Sequence, residues 1–122
     1  MKFSLSSMWV DSFSLTPTTK PNETGEEFTM NVESAVDFNS VNKSEFRFSI
    51  SIKLHKNERF IFNACQMAIV KFDKEMSEEE AQKTVSTADA AQYLYPYLRA
   101  FVISTLRLAG YNNVNLPVVI FQ

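Results

Sequence analysis

Phe46, Phe48, Ile50, Ile52 and Leu54 fall at every second position, with Arg47, Ser49, Ser51 and Lys53 between them. Successive side chains of an extended chain point to opposite faces, so this run specifies a strand with one buried and one wet face. On a helix the same residues would be scattered around the axis. A half-buried strand needs partners, and the flanking segments have the form to supply them. Phe28, Met30, Val32, Val36 and Phe38 share even positions, separated by Thr29, Asn31, Glu33 and Asp37. From Phe60 to Phe72 both parities carry apolar residues, which predicts a strand covered on two faces for part of its length. Phe3 to Leu15 mixes apolar and small polar residues without Gly or Pro and predicts a long strand, bent or bulged where Met8, Trp9 and Val10 run together. Pro17 ends it, and Thr18 to Gly25 reads as a loop. Short polar turns at Asn39 to Lys43 and at His55 to Glu58 make the strands an antiparallel meander.

The pattern then changes period. Ser77 with Glu80 has the spacing of a capping box opening a short helix behind the acidic run Glu78, Glu79, Glu80. Thr87 reopens a helical pattern that runs to Ala109, with Gly110 as the expected stop. Pro96 either kinks this helix or stands in the first turn of its main part. Leu94, Tyr97, Leu98, Phe101, Val102, Leu106, Leu108 and Ala109 spread over roughly half the circumference, and Ile103 lies outside that arc, between Arg99 and Arg107. One sheet face covers a stripe, so the width of this arc predicts burial of part of the helix against a second subunit, with Tyr97, Phe101, Ile103 and Leu108 as interface residues. The tail from Asn112 to Phe121 is extended, and its apolar end implies docking onto the domain. Strands followed by segregated helices make a single α+β domain over residues 1–122.

Chemistry finds little footing. His55 is the sole histidine and falls in an expected hairpin turn, so a general base or a Ser-His-Asp triad would have to be built around a loop position. Cys65 is the sole cysteine, which excludes an intrachain disulfide; within an aromatic-rich strand it reads as a small core hydrophobe. Glu78, Glu79 and Glu80 point to different sides of a helix and read as its solvated start, not as a cation site. No Gly-rich phosphate loop and no CxxC is present, so no enzyme, cofactor or metal is expected. The formal net charge of −2, without a basic block, argues against nucleic acid. The first residues lack the apolar run of a signal peptide and no stretch reaches the length of a membrane span, which makes the cytoplasm the expected compartment. Asn22 and Asn42, in N-x-S/T contexts, then read as loop polarity.

Tyr95-Pro96-Tyr97-Leu98-Arg99, followed by Ile103-Ser104, Arg107, Gly110 and Asn115-Leu116-Pro117-Val118, resembles the most recognisable stretch of the SecB export chaperone family. Phe3 to Pro17, Glu27 to Leu54 and Phe60 to Phe72 fall in the order and spacing of the family's four strands, so the likeness covers nearly the whole chain. The resemblance implies a cytoplasmic holdase that works without ATP, assembled as a dimer of dimers with helices sandwiched between sheets. It implies that unfolded or precursor polypeptides bind grooves lined by apolar strand residues, here Phe28, Met30 and Val32 with Phe62 beside them. Two departures carry expectations of their own. Ser12, Thr16 and Ala64 stand at or near positions where the family presents carboxylates to the SecA motor, which implies that the acidic docking patch is absent. The sequence stops at Gln122, where SecB proper continues into a second helix and an acidic tail, which implies a shallower and more open groove. Two functions follow: a general holdase, or an interaction module of the same fold dedicated to one protein, such as an antitoxin.

Overall fold

The computed structural model describes residues 3–17, 28–38, 41–42, 44–56, 60–85, 87–111 and 114–118. Four strands, β1 (Phe3–Pro17), β2 (Phe28–Phe38), β3 (Glu45–Lys56) and β4 (Phe60–Phe72), precede two helices, α1 (Glu78–Thr84) and α2 (Thr87–Leu108). The loop expected at Thr18 to Gly25, the tip of the turn at Asn57 and Glu58, and the tail beyond Val118 lie outside the described residues.

The strands form one antiparallel sheet in the order β1-β4-β3-β2. The expected meander holds for β2, β3 and β4, each paired with the next. β1 departs from it and pairs with β4, across the sheet from its neighbour in sequence. Its register with β4 shifts between Leu5 and Ser7 and between Val10 and Ser12, placing bulges on either side of the Met8-Trp9-Val10 run.

Even-numbered residues of β3 and β4 face the helices. Phe46, Phe48, Ile50, Leu54, Phe60, Phe62, Ala68 and Val70 are 0–1% exposed, and α2 adds Ala91, Leu94, Tyr95, Leu98, Val102 and Leu106 at helical spacing. Each large side chain taken fully out of water here stabilises the fold by about 1.5–3 kcal/mol relative to leaving it exposed. The odd residues of β4 are not covered by a second layer, contrary to the two-faced burial its composition suggested. Ile61, Cys65, Met67 and Ile69 are half-buried by neighbouring side chains on the outer face of the sheet. Cys65 is therefore an outer-face residue and not a core one. A strand with apolar residues on both parities does not reveal which parity the helix will cover.

The helix ends follow the local code. Ser77 is the N-cap of α1, its hydroxyl accepting the Glu80 N–H at 3.2 Å. Pro96 lies inside α2, which continues through it. Beyond Leu108 the Tyr111 N–H reaches the Leu106 carbonyl at 2.8 Å and the Gly110 N–H reaches that of Arg107 at 3.1 Å, with Gly110 at φ +102°. These paired bonds are a Schellman termination, which requires the left-handed backbone that glycine adopts without a Cβ penalty.

Candidate functional site

The sequence motifs that resemble one family meet in space. Tyr95, 2% exposed, donates its hydroxyl hydrogen to the Pro117 carbonyl, and Arg99 Nε donates to the Leu116 carbonyl at 3.2 Å. Positions i and i+4 of α2 thus hold the backbone of two successive tail residues. Val114 and Leu116 are buried beneath this clamp, so the docking expected of the tail holds for its described part. Burial raises the Tyr95 phenol pKa above its ordinary value, with the nearby Arg99 charge acting in the opposite direction.

The apolar surface left open by this packing lies mainly at the two edges of the sheet. On edge strand β2, Met30, Val32, Val36 and Phe38 face the helix layer and pack against the core while staying half exposed. Phe28 starts the same row opposite Lys56, and its side chain lies outside the described part. Phe62, expected on the same surface, is instead 0% exposed, sealed in the core with its ring 6.4 Å from that of Phe101. It cannot meet a ligand without opening the core, because β4 is flanked on both sides by strands and roofed by the helix. On edge strand β1, Phe13 is 58% exposed and stands edge-on to Phe101, with ring centroids 5.3 Å apart.

The four residues expected at a subunit contact separate into two pairs. Phe101 and Ile103 are half-buried against the chain's own core. Tyr97 and Leu108 point outward, 47% and 90% exposed, on a stripe that also carries Tyr93. Part of the width of the helix's apolar arc is thus accounted for within one chain, by Phe13 of β1 over Phe101.

The outer face of the sheet is more polar. A shallow depression of about 390 Å³ is lined by Ser12, Asn31, Glu33, Ser51, Lys53, Asn63 and Cys65, among others. It assembles no nucleophile and base: Ser51 lies opposite Cys65, and His55 lies four residues further along β3, roughly 13 Å away at the rise of an extended chain. Among the described residues no group of His, Cys, Asp and Glu could hold a metal ion. Ser12 and Thr16 are exposed on β1, whereas Ala64, set beside them by sequence, faces the helix and is 4% exposed. The outer-face neighbours of Ser12 and Ser14 on β4 are Cys65 and Asn63, and Asn63 Nδ2 lies 3.5 Å from Ser14 Oγ. Among the described residues no helix is long and apolar enough to cross a membrane.

Sequence reasoning missed one residue, Gln66. It is 4% exposed on the helix-facing side of β4 between Ala64 and Ala68, and its Oε1 has no hydrogen-bond partner. Its even position within an otherwise apolar row was the available signal.

Among solved structures, the SecB-like chaperone of Mycobacterium tuberculosis in complex with a ChAD peptide from the HigA1 antitoxin is similar. It has 18% identity and a TM-score of 0.74, over 97% of this chain and 88% of that one. A protein of unknown function from Streptococcus agalactiae is similar at 11% identity and a TM-score of 0.57, over 100% of this chain and 98% of that one. No curated protein matches the sequence. The family described as preprotein translocase subunit SecB matches residues 1–122, the same span whose strands, Pro-containing helix and clamped tail are set out above, and the chain belongs to that family.

Proposed function

We propose that the protein is an ATP-independent holdase that binds unfolded polypeptides along the helix-side row of β2, through Phe28, Met30 and Val32. The observation that carries this reading is that Met30, Val32, Val36 and Phe38 stay half exposed at the edge of a sheet whose inner rows are sealed. Apolar burial is non-directional, so a shallow row of this kind accepts many sequences. Hydroxyls at Ser12 and Thr16, in place of the family's carboxylates, argue for work in the cytoplasm without delivery to the SecA motor. The test is aggregation of a reduced, unfolded client diluted into buffer without ATP. Suppression at stoichiometric protein, weakened by Met30→Glu with Val32→Glu, supports the reading; a client that aggregates at its uncatalysed rate sinks it.

A second reading is a module dedicated to one protein partner. The similar Mycobacterium tuberculosis chaperone bound to an antitoxin peptide favours it. Pull-down from the native cell separates the two: a single stoichiometric partner supports the module, and a broad set of non-native chains supports the holdase. Under either reading the protein works as a homodimer or homotetramer through the outward stripe of α2, with Tyr97 and Leu108 in the contact.

A further inference from the structure

The two edges of the sheet differ in kind. β1 carries two bulges and ends in Pro17, devices that blunt an edge against further pairing. β2 has neither: its register with β3 runs unbroken from Phe28 to Phe38, it contains no Pro or Gly, and no described strand lies beyond it. A long, regular, unpaired edge presents a row of backbone N–H and C=O groups ready to take another strand.

The charges on β2 decide what that strand is. Glu33 and Asp37 are exposed on its outer face, four residues apart. Antiparallel pairing of β2 with a second copy of itself, at the register of greatest overlap, would set Glu33 opposite Glu33. Sliding to centre on Ala35 would set Glu33 opposite Asp37. Like charges directly opposite destabilise a sheet, so self-pairing is disfavoured in both registers. On the other side of β2, β3 places Arg47 opposite Asp37 and Lys53 diagonal to Glu33. A strand with basic residues at the matching positions would continue that alternation of sign.

Resting on the holdase reading, we infer that the main chain of a bound polypeptide adds to the sheet as a fifth strand along β2. Apolar side chains of one parity extend the row of Met30, Val32 and Val36. Lys or Arg residues of the other parity, four apart, lie against Glu33 and Asp37. The partner is thus an extended segment of another protein with alternating apolar residues and spaced basic ones, and the carboxylates set its register.

The probes are fluorescein-labelled eleven-residue peptides alternating Leu and Thr, with two Thr positions four apart replaced by Lys, titrated against the full chain and read by anisotropy. Replacing both Lys by Glu is expected to weaken binding about tenfold, and Glu33→Lys with Asp37→Lys to reverse that preference. N-methylation of the backbone amides of one parity is expected to weaken binding about tenfold or more, and of the other parity hardly at all, since only one set points at β2. Equal effects of the two methylation patterns would overturn the inference, as would a charge preference untouched by the double variant. A particle mass that halves on saturation with peptide would assign the edge to a second copy. Suppressed client aggregation together with no peptide binding would sink the edge strand and leave the holdase; parity-selective binding without suppression would do the reverse.

Discussion

Tyr95 performs two tasks with one side chain, filling the core beneath α2 and donating to the Pro117 carbonyl. Tyr95→Phe keeps the first and removes the second, and is expected to cost about 1 kcal/mol at neutral pH by urea unfolding. The same residue links stability to alkaline pH. Its folded-state pKa is raised, so the native state holds the phenolic proton more tightly than the unfolded chain does. The contribution is complete below the unfolded value of about 10 and is lost as pH rises from there through the raised folded value. Tyr95→Phe is expected to flatten that part of the alkaline decline, and an unchanged slope would assign it elsewhere. Gln66 makes the opposite prediction. An acceptor buried without a partner costs about 1–3 kcal/mol, so Gln66→Met, similar in length and apolar, is expected to raise the unfolding midpoint at unchanged m-value.

At the scale of elements, Gly110 is the sharpest case. A Cβ there would meet no atom within 4 Å, so the cost of Gly110→Ala is purely that of the left-handed backbone, about 1 kcal/mol, read as a lower midpoint with no change in assembly. This stop, the cap at Ser77, the bulges around Met8 to Val10 and all four strands were legible in the sequence, because each is written in residues adjacent along the chain. What escaped was set by residues far apart. β1 pairs with β4 instead of continuing the meander, and nothing in its own pattern names its neighbour. Cys65 and Phe62 exchange their expected surroundings for one reason: in β4 both parities are apolar, and only the placement of α2 decides that even residues are sealed and odd ones face out. Of the candidate site, the row on β2 was readable from its alternation, while its place at a free edge followed only from the strand order.

At the scale of the molecule, light scattering is expected to give a mass above that of one chain. Leu108 is 90% exposed, so Leu108→Glu disturbs nothing inside the subunit and is expected to lower that mass while leaving secondary structure unchanged. An unaltered mass would move the contact off this stripe. The place of β1 in the sheet reaches further than architecture. Its partners lie as far away as Phe72 for Phe3, so the strand that leaves the ribosome first is the last of the four to find its place. Until β4 has been synthesised, β1 waits as an extended stretch bearing Met8, Trp9, Val10, Phe13 and Leu15. For that interval the nascent chain carries the kind of exposed apolar segment that its finished edge is suited to hold, and copies already folded are at hand to receive it.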